Sequence, residues 1–79
     1  MADIKLLVEE IARSIVETPD SVVVTETKGE RETVYELKVA EGDIGKVIGK
    51  QGRTARSIRT MLNAVGERDR RRYQLEIVE

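Results

Sequence analysis

The sequence predicts a single α+β domain whose elements follow in the order α-β-β-α-α-β. Apolar residues recur at helical spacing in three stretches and alternate with polar residues in three shorter ones. A chain of 79 residues forms one hydrophobic core and leaves no room for a second. We therefore expect one domain over residues 1–79, with a three-stranded mixed sheet packed on three helices.

The first helix is predicted over residues 3–17. Asp3 can cap its start, and Pro19 cannot continue the helical pattern. Six apolar residues recur at helical spacing and predict one buried face; they are Ile4, Leu7, Val8, Ile11, Ala12 and Ile15.

Two strands follow and are expected to pair as an antiparallel hairpin. Residues 21–27 are rich in Val and Thr, which favour strands, and residues 28–30 carry a glycine typical of a turn. Residues 33–40 alternate, with Tyr35, Leu37 and Val39 on one side. Tyr35 is therefore expected in the core.

The second half of the chain predicts two helices and a final strand. Asp43 is expected to cap a short helix over residues 44–48, which Gly49 ends. A longer helix is expected from about 53 to 65, with Gly66 as its C-terminal stop. Its expected core residues lie within about 80° of one another on a helical wheel; they are Ala55, Ile58, Leu62 and Val65. Residues 73–77 alternate as the last strand, with Tyr73 expected in the core.

The charges are distributed very unevenly along the chain. Residues 1–44 hold 5 Lys and Arg against 11 Asp and Glu, whereas residues 45–72 hold 9 against 2. The net charge is only −1. Because binding follows the local electric field, the basic segment predicts a polyanionic partner in spite of the overall balance.

The composition argues against several other classes of protein. The chain has no cysteine and no histidine, so it lacks a thiolate zinc site and the commonest general base. We expect no enzymatic activity, no cofactor and no metal. The first residues do not have the pattern of a signal peptide, and no apolar run approaches the roughly 18 residues needed to cross a bilayer. A cytoplasmic protein that does not bind membranes is therefore expected.

The most informative segment is a glycine-containing turn followed by an arginine-rich helix. Gly49 and Gly52 allow a tight turn and the close approach of another backbone. At a helix N-terminus such a turn presents N–H groups to a phosphate, and an apolar floor beside it can receive unstacked bases. Val47 and Ile48 are the candidates for that floor. The candidate nucleic-acid-binding residues are Lys46, Val47, Ile48, Gly49, Lys50, Gln51, Gly52, Arg53 and Arg56.

Other phosphate-binding motifs do not fit this spacing. A P-loop needs four residues between its glycines, and Gly45 and Gly49 are separated by three. Gln51 also stands where the P-loop hydroxyl would bind magnesium. A dinucleotide-binding fingerprint needs Gly-x-Gly-x-x-Gly, which the chain does not contain.

A second basic cluster precedes the last strand. It is either a solvated loop or, if it lies beside the glycine turn, an extension of the phosphate track. Its members are Arg68, Arg70, Arg71 and Arg72.

The run Val-Ile-Gly-Lys-Gln-Gly-Arg-Thr-Ala and the basic helix after it resemble the signature of a KH domain, and the element order resembles its type II form. Nearly the whole chain resembles the small bacterial single-KH-domain proteins of the KhpA family. The resemblance implies binding of single-stranded RNA through the Gly-x-x-Gly loop, which clamps about four nucleotides. It also implies RNA-chaperone activity, a larger KH partner of the KhpB type, and a link to cell elongation and peptidoglycan homeostasis.

The alternative is a subunit that acts mainly through protein contacts. Pairing of two domains, as a homodimer or with the larger KH protein, would raise the affinity for RNA through effective concentration. Met61 lies at the edge of the buried stripe of the long helix, where it can serve either the core or a partner. The sequence leaves open whether single-stranded DNA can replace RNA.

Overall fold

The computed structural model describes residues 3–79 and confirms the predicted order of elements. Met1 and Ala2, the first residues of the predicted domain, lie outside the described range. The helices are α1 (Ile4–Ile15), α2 (Ile44–Ile48) and α3 (Arg53–Asp69), and the strands are β1 (Val23–Lys28), β2 (Glu32–Lys38) and β3 (Arg72–Ile77).

The three strands form the predicted mixed sheet in the order β1-β2-β3. β1 and β2 pair antiparallel, with Val24 opposite Leu37, so the expected hairpin is confirmed. β3 pairs parallel to β2, with Leu37 opposite Ile77. A parallel pair needs a crossover connection, which α2 and α3 supply. As a result β2 is central and β3 is an edge strand along which α3 runs.

The core lies between the sheet and the helices. Alternate strand residues and one stripe from each helix fill it, as the two periodicities predicted. Leu7 and Ile15 are an exception, because both were predicted on the buried face of α1 and each is 36% exposed. Tyr35 is buried as expected, but Tyr73 is only half-buried, so its assignment to the core is correct only in part. The buried apolar residues are Ile4, Val8, Ala12, Val22, Val24, Tyr35, Leu37, Val39, Val47, Ala55, Ile58, Leu62 and Leu75.

Two boundaries in the first part of the chain differ from the prediction. α1 ends at Ile15, two residues early, and β1 begins at Val23. Between them Pro19–Ser21 forms a single 3₁₀ turn, and Pro19 is its first residue. Proline has a fixed φ suited to starting such a turn, so it begins a new element here and does not simply stop the old one.

The predicted end of the long helix at Gly66 is wrong. α3 continues through Gly66 to Asp69, and Arg70 takes the left-handed conformation after it with φ 56°. Gly66 is buried, and a Cβ atom there would collide with the carbonyl oxygen of Arg71. The glycine therefore permits close packing of the turn that leads into β3.

Asp43 also differs from the prediction. It precedes α2 but makes no capping hydrogen bond to that helix. Asp43 is 3% exposed, and its carboxylate accepts hydrogen bonds from the backbone N–H groups of Glu17 at 3.2 Å and Thr18 at 3.0 Å. A buried carboxylate needs such partners, and here they join the segment after α1 to the start of α2. Asp43 thus fixes the helix that leads into the glycine turn.

Candidate nucleic-acid interface

The turn between α2 and α3, which we call the glycine loop (residues 49–52), has an unusual backbone. Gly49 has φ 80°, Gln51 has φ 57° and Gly52 has φ 74°. Residues with side chains adopt positive φ only at a cost, and Gln51 is one of two non-glycine residues in the described chain that do so. The loop is held closed by the N–H of Gly52, which donates to the carbonyl of Gly49 at 3.0 Å.

The two glycines of the loop are needed for different reasons. A Cβ atom at Gly49 would lie 2.8 Å from the backbone nitrogen of Thr54, so a side chain there would collide with the start of α3. A Cβ atom at Gly52 would meet nothing within 4 Å. Gly52 is therefore required by its backbone angle, and the space in front of it is open to a ligand.

The loop and the first turns of α3 carry free positive charge. Lys50, Arg53 and Arg56 are exposed, and within residues 3–79 none of them forms a salt bridge. No side chain caps α3, which leaves the positive end of its dipole uncovered. Gln51 is exposed at the tip of the loop and can donate or accept. This arrangement attracts an anionic backbone.

Of the two residues predicted to form an apolar floor beside the loop, only Ile48 has an accessible surface. Val47 is completely buried, so it supports the loop from the core and has no surface for a base. Ile48 is half-buried and, with Gly52, Ala55 and Arg59, lines a cleft of about 220 Å³ against β3. The burial of Val47 thus corrects the predicted contact set.

Lys46 is predicted to bind nucleic acid, but its ammonium group faces carboxylates. It lies 3.5 Å from Glu17 Oε1 and 3.9 Å from Asp43 Oδ1. Its charge is therefore partly balanced within the protein, on the side of α2 that meets the end of α1.

A groove continues from the glycine loop along α3 and the free edge of β3. Arg59 crosses it, with one guanidinium nitrogen donating to the carbonyl of Leu75 at 3.3 Å. A second cleft, of about 200 Å³, follows between Asn63 on α3 and Tyr73 on β3. Sequence reasoning missed Arg59, because its place on the groove depends on where β3 lies beside α3.

The second basic cluster lies at the opposite end of α3 from the glycine loop. At about 1.5 Å per residue, the 17 residues of α3 separate the two regions by roughly 24 Å. The cluster therefore does not lie beside the glycine loop. An extension of the phosphate track by this cluster was predicted only for a cluster beside the loop.

Two of the four arginines in the cluster make hydrogen bonds within the protein. Arg71 donates to the carbonyls of Glu30 at 3.0 Å and Gly29 at 2.9 Å, and to the hydroxyl of Thr33 at 3.0 Å. Arg68 donates to Asp69 at 2.9 Å. Arg70 and Arg72 remain exposed, and neither forms a salt bridge with any described residue.

The groups with shifted pKa values surround the same end of α3. Burial raises the pKa of Tyr35, and its hydrogen bond to Glu26 at 2.9 Å adds to the effect. The hydrogen bond from Arg68 lowers the pKa of Asp69, which also accepts from the Tyr73 hydroxyl at 2.8 Å. That second bond raises the pKa of Tyr73. Tyr35 and Tyr73 are in aromatic contact, with ring centroids 6.1 Å apart.

Two negative findings apply to the described chain. Over residues 3–79 no helix is both long and apolar enough to cross a membrane. The same residues contain no group of three or more carboxylate, histidine or cysteine side chains placed to hold a metal ion.

The sheet order, the parallel β2–β3 pair, the glycine loop and the basic helix behind it define a type II KH domain. The model of the KH domain of KhpA and KhpB matches residues 5–77, and the chain belongs to this family. The family is not an enzymatic one, so the expectation that the chain is not an enzyme is confirmed.

Relatives cover nearly the whole chain. The RNA-binding protein KhpA of Clostridium acetobutylicum is 50% identical over 74 residues, which are 94% of this chain and 99% of that protein. The RNA-binding protein KhpA of Aquifex aeolicus is 48% identical over all 79 residues of this chain and 100% of its own length. That of Treponema pallidum is 47% identical over 73 residues, 92% of this chain and 91% of that protein.

A solved structure shares the fold. The crystal structure of a point variant of Aquifex aeolicus Era bound to GDP·AlF4⁻ superposes with a TM-score of 0.55 at 24% identity. The match covers 98% of this chain and 31% of that one. It supports the fold and nothing further.

Proposed function

We propose that this protein binds single-stranded RNA through the glycine loop and the first turns of α3. The observation that carries the proposal is the strained loop with open space in front of Gly52, set at an uncapped helix N-terminus among unpaired cations. Family membership supports it, because relatives that share about half of its residues are RNA-binding proteins.

Binding of the backbone follows from the loop's donors and charges. Phosphate oxygens would accept from the backbone N–H groups of Lys50 and Gln51, since those of Gly49 and Gly52 donate within the protein, and would approach the positive end of α3. Lys50, Arg53 and Arg56 would neutralise up to three phosphates. Each neutralised phosphate of a single strand contributes about −0.7 to the slope of log affinity against log salt, so the expected slope is about −2.

Base contacts would be made in the groove between α3 and β3. Ile48 offers an apolar surface, and the free edge of β3 offers backbone N–H and C=O groups that base edges can use, apart from the carbonyl of Leu75, which accepts from Arg59. Within residues 3–79 neither tyrosine is fully exposed, so stacking on aromatic platforms contributes little. Recognition would rest on base edges, sugars and phosphates.

The test is a fluorescence anisotropy titration of a labelled single-stranded RNA with the wild type and with the double variant Lys50→Asp, Gln51→Asp. The matched control is Lys5→Asp with Ser21→Asp, which changes the charge equally at two exposed positions outside the loop. Circular dichroism checks that all three proteins fold. Salt-dependent binding should be lost only in the loop variant. Equal binding by the wild type and the loop variant would contradict the proposal.

A second candidate function, dimerisation, is favoured by the surface around Met61. Met61 is 40% exposed, so the alternative that it serves the core is wrong. On the helical wheel it lies near three small exposed residues, Ser57, Thr60 and Ala64. Small side chains let two helices approach closely around a larger apolar residue. We propose this face for contact with a second copy or with a larger KH protein of the KhpB type.

Sedimentation tests the contact at Met61. The Met61→Asp variant should sediment as a monomer at concentrations where the wild type is a dimer, while Ser14→Asp on α1 should not change the association. A dimer that persists in Met61→Asp would exclude this face.

The family resemblance extends the proposal to the cell. We propose that the protein acts in the cytoplasm as an RNA chaperone with its KH partner, in post-transcriptional control of cell elongation and peptidoglycan homeostasis. Complementation of a deletion strain tests this directly: the wild type should restore cell length, and the Lys50→Asp, Gln51→Asp variant should not.

A further inference from the structure

We propose that Arg31, Arg70 and Arg72 form a second anion-binding site, the distal arginine site, which holds a further stretch of the RNA strand bound at the glycine loop. The inference rests on the proposed function, because it assigns a second contact to the same ligand. Of the two alternatives for the cluster at residues 68–72, it modifies the phosphate track, with a smaller set of arginines that includes one from another part of the chain.

The three arginines are brought together by the fold. Arg31 lies in the turn between β1 and β2, about 40 residues before the other two. The backbone N–H of Arg72 donates to the carbonyl of Arg31 at 2.9 Å, and Arg71 fixes the same turn through Gly29 and Glu30. The site therefore stands on a braced part of the backbone, which reduces the ordering cost of binding.

The charge of the site is not balanced by the protein. All three arginines are exposed, and none forms a salt bridge within residues 3–79. They line a cleft of about 490 Å³, in which Glu67 is the only carboxylate among the lining residues. Arg71 also lines the cleft, but its guanidinium group is bound to the β1–β2 turn. The other three guanidinium groups against one carboxylate leave a site suited to phosphate, which guanidinium binds in a bidentate manner.

A continuous groove connects this cleft with the glycine loop. Asn63 and Tyr73 line both the distal cleft and the middle cleft, and Arg59 lines both the middle cleft and the one beside Ile48. The three clefts thus share walls along the whole of α3 and β3. This continuity favours one RNA strand as the occupant over a separate anion.

The span of α3 indicates a strand longer than the loop alone would hold. The two ends of α3 lie roughly 24 Å apart. A loop of this type clamps about four nucleotides, and the distal arginine site lies beyond it at the other end of α3. We therefore expect a loop-bound tetranucleotide to stop short of the distal arginine site and a 12-nucleotide strand to reach it.

The experiment measures the affinities of labelled U4 and U12 RNA for the wild type and for Arg70→Asn with Arg72→Gln. Asparagine tolerates the left-handed conformation that Arg70 adopts. The control, Lys5→Gln with Arg13→Gln, removes the same charge at exposed positions on α1. Arg31→Gln is a second variant that leaves the α3–β3 turn intact, and thermal unfolding checks the fold of each protein.

The double variant should leave U4 binding unchanged and weaken U12 binding by about tenfold. It should also reduce the U12 salt slope by about 1.4, the share of two phosphates. An unchanged U12 affinity, or an equal loss for U4 and U12, would overturn the distal site. Failure of the proposed function is distinguishable, because then Lys50→Asp with Gln51→Asp would keep its affinity for U4.

Discussion

The two ends of α3 carry the same residue type in different roles. At the first end, Arg53 and Arg56 have no salt-bridge partner among residues 3–79. At the other end, Arg71 donates three hydrogen bonds to the β1–β2 turn, and Arg68 is paired with Asp69. An arginine near a basic cluster is thus available for RNA only if the neighbouring backbone and carboxylates leave it free.

The glycines at the two ends differ in the same way. Gly52 faces open space, and glycine is required there by the positive φ. Gly66 lies in a regular helix, and glycine is required there because a side chain would collide with the carbonyl of Arg71. One glycine keeps a surface clear for a ligand, and the other lets two segments of the protein meet. Substitutions should therefore separate binding from stability along a single helix.

The largest effect is expected from Gly66→Ala. Its methyl group would meet backbone, which cannot move aside cheaply, so the free energy of unfolding should fall by about 3 kcal/mol. Gly45→Ala is the matched control, because Gly45 is also helical and has nothing within 4 Å of an added Cβ. It should gain up to about 1 kcal/mol from helix propensity. Urea unfolding measures both, and equal values would contradict the packing role of Gly66.

A smaller loss of stability is expected when Arg71 is changed to Gln. The variant loses charged hydrogen bonds to Gly29, Glu30 and Thr33, so the free energy of unfolding should fall by about 2 kcal/mol. Arg70→Asn should stay within about 0.5 kcal/mol of the wild type, since Arg70 is exposed. If both variants unfold at the same urea concentration, the claim that Arg71 stabilises the fold and Arg70 does not would be refuted.

At the other end of the helix, Arg53→Gln with Arg56→Gln should change binding without changing stability. The slope of log affinity against log salt should become less negative by about 1.4, because two phosphate contacts are removed. Urea unfolding should stay within about 0.5 kcal/mol of the wild type, since both residues are exposed. An unchanged salt slope would show that these arginines do not contact phosphate.

A loss of stability at neutral pH smaller than that of Arg71→Gln is expected for Tyr35→Phe, which removes the hydrogen bond to Glu26 and should cost about 1 kcal/mol. The pKa of Tyr35 is higher in the folded state than in the unfolded one, so the folded state favours the neutral phenol. This contribution is complete below about pH 10 and is lost as the pH rises through the folded-state pKa. The variant should lose less stability above pH 10 than the wild type. Parallel alkaline profiles would contradict this.

Much of the fold could be predicted because periodicity and turn residues determine it locally. The alternation at Tyr35, Leu37 and Val39 and the bounds of α2 were confirmed. The predictions were wrong where contact with another segment of the chain determines the role of a residue. A glycine such as Gly66 is typical of the C-terminus of a helix. Only the position of the Arg71 carbonyl shows that this glycine is needed for close packing inside the helix.

The candidate site shows the same limit. The sequence placed the loop, because two glycines before a basic helix are a local signal. It could not show that Val47 faces the core, that Arg71 binds the β1–β2 turn, or that Arg31 joins Arg70 and Arg72. Those facts depend on how β3 and the hairpin come together, which spacing along the chain does not encode.

A ¹⁵N–¹H NMR titration of the wild-type protein with U4 RNA would show directly whether RNA binds at the glycine loop. We expect the amide signals of residues 49–56 to shift first and most strongly, while those of α1 and β1 remain in place. Shifts concentrated on α1 or β1, with the signals of residues 49–52 unchanged, would contradict the assignment of the glycine loop as the RNA-binding site.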